Sequence, residues 1–268
     1  MGKVQLYESS PPSAYLAPYV KSYYRFEYAA DGIGFLGLTP TGTAEVTYIR
    51  EPATVPPTSL RPFRGLVAYT QLSSSYRNGL RNGCVVYGIV LHPLGMARFF
   101  DGDFKALGQM VVNDGLALPG CNEIFAPMAS AGQAPSFAAF RERAEAVLYL
   151  GLAKRPELPD WLFGMVSVMN QGGWLVPQIK LAEQLPVSWR RFESVFADTI
   201  GCSPKTYLRV LRYRRFLWAC AQPRRMGLAQ LATDCGFYDQ AHLCHEIQAL
   251  GGKTPGHYLK GRITVYGL

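Results

Sequence analysis

The chain has 268 residues, about half of them apolar and including 14 Phe and 16 Tyr, enough to fill the cores of two ordinary domains. No stretch approaches the roughly 18 to 20 apolar residues of a spanning helix, and Met1-Gly2-Lys3-Val4-Gln5 lacks the apolar run of a signal peptide, so a cytoplasmic protein with no membrane partner is expected. Charge is uneven: residues 171–268 hold 13 Lys or Arg against 6 Asp or Glu, a net +7 of the chain's +8, so a polyanion is the expected partner of the C-terminal part alone.

Cysteines at 84, 121, 202, 220, 235 and 244 form no Cys-x-x-Cys pair, so neither a zinc ribbon nor a redox dithiol is spelled out. They read as reduced thiols, and no metal or other cofactor is expected.

The first ninety residues read as short strands: Ser22 to Tyr28, Ile33 to Leu38, Ala44 to Arg50, Gly65 to Thr70 and Cys84 to Leu91. Asp31-Gly32, Pro40-Thr41-Gly42 and the Pro-rich run from Glu51 to Pro62 punctuate them. This spacing predicts a β-sandwich or small barrel. After His92-Pro93 the pattern turns helical, over Leu94 to Phe100 and then Ser136 to Lys154, where Phe137, Phe140, Ala144, Val147 and Leu148 follow helical spacing. Two prolines within Pro156-Glu157-Leu158-Pro159 discourage a continuous helix, and the domain boundary falls there. The fold class is therefore α+β in two domains: a β-rich unit with added helices over 1–155 and an all-α unit over 156–268.

The all-α unit reads as short helices with clear stops. Trp161 to Asn170 ends at Gln171-Gly172-Gly173, and Pro177 to Leu185 starts with a proline where the first turn tolerates one. Ser188 caps a helix that turns Phe192, Phe196 and Ile200 to one side and leaves Arg190, Arg191 and Ser194 on others. Gly201 closes it. Ser203-Pro204 opens a helix to about Ala221, some 27 Å long at 1.5 Å per residue. A second helix pair follows: Gly227 to Cys235, a turn at Gly236-Phe237, and Asp239 capping a helix to about Leu250. Thr254-Pro255 begins a last short helix. Two helix-turn-helix units on one rigid connector suit a duplex, because an α-helix fits the major groove and successive grooves lie about 34 Å apart. Lys205, Arg209, Arg212, Arg214 and Arg215 lie on the connector, where phosphates could be neutralised.

The residues Leu181-Ala182, Ser188, Phe192, Phe196, Gly201-Cys202-Ser203-Pro204 with Tyr207-Leu208-Arg209, and then Leu231-Ala232-Thr233-Asp234-Cys235-Gly236-Phe237, Asp239-Gln240-Ala241-His242, Gly252-Lys253-Thr254-Pro255 and Tyr258 resemble the AraC family of transcription regulators. The resemblance covers about a hundred residues. It implies a bipartite reader of double-stranded DNA, target-gene activation and hence RNA polymerase as a partner, and an N-terminal domain that senses an effector or mediates dimerisation. Carried over by position, it offers Arg190, Arg191, Glu193 and Ser194 of the first reading helix to DNA, and Gln240, His242, Cys244 and His245 of the second, with Lys205, Arg209 and Arg212 for phosphates. Leu243 and Ile247 stand where the family commonly has aromatics and are expected to keep the core. His245 and Val195 stand where Arg is common, which shifts the second unit towards shape readout.

Other readings follow from the same residues. His242, His245, Cys235 and Cys244 are zinc-ligand types, but the resemblance places Cys235 inward. Phe192, Phe196, Tyr207, Phe216, Trp218, Phe237 and Tyr258 could stack on single strands, yet their helical spacing favours a core. Cys84 with His92 could be imagined as a nucleophile and base, but a nucleophile elbow needs strand, sharp turn and helix, whereas this segment reads as one strand. No enzyme is expected. A small-molecule effector in the aromatic-rich N-terminal domain is the remaining expectation, and monomer and homodimer both stay open.

Overall fold

Period-two alternation in the N-terminal strands builds a sheet with two buried faces. A computed structural model describes residues 3–29, 33–52, 65–71, 74–107, 112–113, 120–222 and 226–260. Its strands are β1 (Lys3–Ser10), β2 (Val20–Ala29), β3 (Ile33–Leu38), β4 (Ala44–Arg50), β5 (Gly65–Tyr69), β6 (Tyr76–Arg81), β7 (Val85–Leu91) and β8 (Val112–Asn113). Six of them form an antiparallel sheet in the order β1-β2-β7-β4-β5-β8, and β3 and β6 pair as a separate two-stranded ribbon. The Asp31-Gly32 turn and most of the Pro-rich run lie outside the described residues.

Tyr23, Val46, Ala68, Tyr87 and Ile89 point to one face, where Phe125, Phe140, Ala144 and Leu148 cover them. Their neighbours Phe26, Ile49, Val67 and Val86 point to the other, where they meet Leu80 of the β6 ribbon strand. The result is sandwich-like, with helices closing the first face. Every residue of β7 is buried because both sides are covered, which explains its unbroken apolar sequence Val85-Val86-Tyr87-Gly88-Ile89-Val90-Leu91.

The covering helices are α1 (Gly95–Phe99), α2 (Phe104–Leu107), α3 (Cys121–Ser130) and α4 (Phe137–Lys154). Ser136 caps α4 by accepting from the Ala139 N–H, an interaction generally worth about 1 kcal/mol. At its far end buried Arg98 donates to the carbonyls of Leu152 and Arg155, satisfying acceptors that a helix terminus leaves open. The chain then leaves the sheet towards α5 (Asp160–Asn170), a 3-10 turn (Gly173–Leu175), α6 (Gln178–Ala182), α7 (Trp189–Ile200), α8 (Pro204–Ala221), α9 (Leu228–Asp234), α10 (Gln240–Gly251) and α11 (Pro255–Lys260). Sequence reading missed β1, β6, β8, α2 and α3, and drew α6 too long.

Candidate nucleic-acid interface

Two small helical cores are strung on one helix. Phe192, Phe196 and Ile200 of α7 pack with Leu181, with Leu162, Met165 and Met169 of α5, and with Tyr207 and Leu211 of α8. Leu231 and Ala232 of α9 and Leu243, Ile247 and Leu250 of α10 pack with Val210, Tyr213, Phe216 and Leu217 of the same α8. Positions four apart, 207 and 211, serve the first unit. Positions 210, 213 and 217 serve the second, one face further round the helix. A connector buried on both sides in this way holds the two units without a flexible joint.

Helices α7 and α10 each begin with a side-chain cap. Ser188 accepts from the Arg191 N–H at the start of α7, and Asp239 accepts from the His242 N–H at the start of α10, at 2.7 Å. Both helices stop on a glycine in the left-handed region, Gly201 (φ 89°) and Gly252 (φ 69°), which a residue with a Cβ rarely adopts.

The outward face of α7 carries Arg190, Arg191, Glu193 and Ser194, all exposed, with Ser194 also near Asp198. The sequence assignment for the second helix divides. Gln240 and His245 are exposed, but His242 is half-buried, edge-on to Phe237, and its Nδ1 accepts from the Tyr238 N–H at 3.2 Å. Cys244 is half-buried against the second core. The exposed face of α10 is completed instead by Ala241 and Gln248, and it is preceded by Tyr238, which is 92% exposed. Periodicity could have found Gln248, two turns on from Ala241. Tyr238 lies in the turn, where periodicity carries no signal.

The connector cations also divide. Lys205 is exposed in the first turn of α8. Arg209 donates twice to Glu246 of α10, and Arg212 is half-buried with its guanidinium over the Phe237 ring. Arg214 faces the N-terminal domain and α5, donating to the Thr41 carbonyl and to Asn170 Oδ1. Arg215 lies over Trp218 at 4.3 Å, and Trp218 is itself exposed, so the expectation that it is core is corrected. The aromatics Phe192, Phe196, Tyr207, Phe216 and Phe237 are buried as expected, and so are Leu243 and Ile247.

The thiols and imidazoles form no evident chemical centre. Cys235 is fully buried, its pKa pushed up to about 12 by that burial, and among the described residues no three metal-ligating side chains converge. Cys84 and His92 flank β7 at opposite ends, roughly 25 Å apart at the usual rise per strand residue.

The N-terminal domain grips both units. Thr70, at the end of β5, and the carbonyl of Phe104 crowd Gly201 so closely that an added Cβ there would lie 2.7 and 2.6 Å from them. The Ser75 N–H donates to the Leu250 carbonyl at the end of α10, at 2.7 Å, and Leu94 enters the first helical core.

A β-rich domain is thus joined to two capped helix pairs on one shared connector, the arrangement of a double helix-turn-helix unit. Residues 181–261 match the family model described as a helix-turn-helix domain. No curated protein matches the chain. Among solved structures it is similar to ToxT from Vibrio cholerae, at 9% identity over 85% of this chain and 97% of that one, with a TM-score of 0.43. A structure of ToxT from Vibrio cholerae with unsaturated fatty acid bound is similar at 10% identity over 86% of this chain and 96% of that one, with a TM-score of 0.40. The xylose-binding transcription activator xylR matches at 11% identity over 45% of this chain and 39% of that one, with a TM-score of 0.33. Likeness this loose transfers no property.

Proposed function

We propose that the chain is a sequence-specific regulator in which residues 156–268 read duplex DNA and residues 1–155 sense a small molecule. The observation that carries the first part is the sharing of α8 between two helical cores, which presents the outward faces of α7 and α10 as one rigid pair. Arg190, Arg191, Glu193 and Ser194 read bases in one groove, and Gln240 and His245, with His242 and Cys244 at the margin, read the next. Lys205 neutralises a phosphate, while Arg209 and Arg212 act chiefly by holding α10 in place. The effector reading is supported by the way the residues that meet the reader, Thr41 to Thr43, Thr70 and Ser75, adjoin strands β4, β5 and β6 of the N-terminal domain. RNA polymerase is the partner that activation requires, a two-fold dimer would double the DNA contacts, and the cytoplasm is the compartment where these meet. Among the described residues no helix is long and apolar enough to cross a membrane.

Selection of bound sites from a random duplex library by the full chain tests this reading. The expected result is a motif with two fixed blocks about one helical turn apart. Arg190→Ala should weaken binding to the selected site by about 1–3 kcal/mol and relax discrimination within one block only. Salt-sensitive binding with no recovered motif would overturn sequence-specific reading in favour of non-specific attachment.

A further inference from the structure

Helices α7 and α10 repeat one pattern at a constant offset of fifty-one residues. The caps Ser188 and Asp239, the buried pairs Phe192 with Phe196 and Leu243 with Ile247, and the left-handed stops Gly201 and Gly252 all coincide under it. Cap, core and stop together fix how each helix is rotated about its own axis, so the outward faces coincide as well. On α7 that face carries Arg190, Glu193, Ser194 and Ala197, and on α10 it carries Ala241, Cys244, His245 and Gln248. Ala197 and Cys244 are half-buried at its edge, and the other six are exposed. Residues spaced i, i+3, i+4 and i+7 form the stripe that a helix lying in the major groove turns to the base edges.

Equivalent positions carry unequal chemistry. A planar guanidinium forks onto the O6 and N7 acceptors of guanine, and a carboxylate accepts from the N4 amino group of cytosine, so Arg190 and Glu193 both suit G·C pairs. A side-chain amide donates to N7 and accepts from the N6 amino group of adenine, and a methyl group packs on the thymine methyl. Gln248 and Ala241 therefore both suit A·T pairs. Ser194 and His245, which coincide under the offset, can each donate or accept and so do not decide between the two. The contrast in charge runs the same way: α7 brings an arginine and a glutamate to its stripe, whereas α10 brings neither.

We propose that the two helices read unlike half-sites: α7 a block of G·C pairs through Arg190 and Glu193, and α10 a block of A·T pairs through Gln248 and Ala241. Gln248 is thereby the chief specificity-determining side chain of the second unit. The inference rests on the duplex-reading function proposed above and names the base pairs that it selects. A site with two unlike blocks is directional, so one chain lies on it in a single orientation, α7 over the G·C block and α10 over the A·T block.

Selection of bound duplexes from a random library by the full chain, repeated with two variants of Gln248, tests this assignment. The native chain should recover one G·C block and one A·T block. Gln248→Ala should lower the preference for adenine at one position of the A·T block by about tenfold to a hundredfold and leave the G·C block as it was. Gln248→Glu replaces the amide donor with a second acceptor and should move that same position from adenine to cytosine. Alanine and glutamate are both strong helix formers at an exposed helical position, so each variant should keep the native circular dichroism spectrum and melting temperature. Two recovered blocks whose base preferences neither substitution alters, or an adenine preference that is lost with Arg190→Ala instead, would overturn the assignment and leave sequence-specific reading standing. No motif from the native chain would overturn both.

Discussion

Arg209 on α8 and Glu246 on α10 form a two-pronged pair, Nε to Oε2 at 2.7 Å and a terminal nitrogen to Oε1 at 3.0 Å. It is the most direct polar link between the connector and the second reading helix. The Glu246 side chain is only 10% exposed and that of Arg209 33%. Removing the carboxylate would strand a partly screened cation, so Glu246→Ala should cost about 2 kcal/mol, below the value for a fully buried pair. Urea unfolding monitored by circular dichroism checks the cost, and retention of wild-type stability would show that the pair is ornamental.

The same pair makes a pH prediction. Burial alone would push the Glu246 carboxyl up, but the hydrogen bonds and charge of Arg209, with His242 and Arg212, hold it below its ordinary 4.5. A carboxyl depressed on folding contributes stability above its unfolded pKa and loses it as pH falls through the folded one. The urea midpoint of the native chain should therefore fall below about pH 4.5 more steeply than that of Glu246→Gln.

His92 predicts a second window nearer neutrality. Burial, and then the neighbouring charges of Lys21 and Arg214, lower its pKa from 6.5. Folding thus favours the neutral ring, and stability present above pH 6.5 is lost as pH falls through the lower folded value. His92→Gln should flatten that part of the profile. Because Arg214 lies on the connector and Lys21 on β2, the loss should appear first as reduced protection of the domain junction in hydrogen exchange.

Gly201 combines a left-handed backbone with a contact that has no room for a methyl group. Gly201→Ala should destabilise the chain by about 2 kcal/mol. It should also lower DNA affinity, since the same residue ends the first reading helix. Thermal unfolding and duplex titration on one preparation separate the two effects. Gly164→Ala, at a helix position open to solvent, is the control and should be nearly neutral or slightly stabilising.

Iodoacetamide should rank the thiols by burial. Cys84, Cys121, Cys202 and Cys235 are buried, and burial raises each pKa, to about 12 for Cys202 and Cys235. Cys220 and Cys244 are half-buried and should be modified first in the folded chain. Bound duplex should slow Cys244 alone, because α10 would then face the groove. Fast labelling of Cys84 would instead revive a nucleophilic role for it.

Wherever a local rule decided the outcome, the amino-acid sequence was sufficient. Five strands lie within two residues of their expected ends, because alternation and turn residues act within the strand itself. Ser188 and Asp239 cap the helices they were expected to cap, since a cap depends only on the backbone three residues on, and Ser203, expected with Pro204 to open α8, caps it. Phe192 and Phe196 fill the core that helical spacing assigned to them, and Leu243 and Ile247 the one that the family resemblance implied.

What each cation does was decided by tertiary structure. Arg190, Arg209 and Arg214 are alike in sequence as exposed-looking arginines on basic helices. Packing leaves Arg190 open, binds Arg209 to a carboxylate thirty-seven residues away, and turns Arg214 to a carbonyl of the other domain. The dockings of residues 41–43, of Thr70 and of Ser75 on the helical unit are likewise long-range events. Their free energy comes from surfaces that exist only once both partners have folded, so no local pattern announces them.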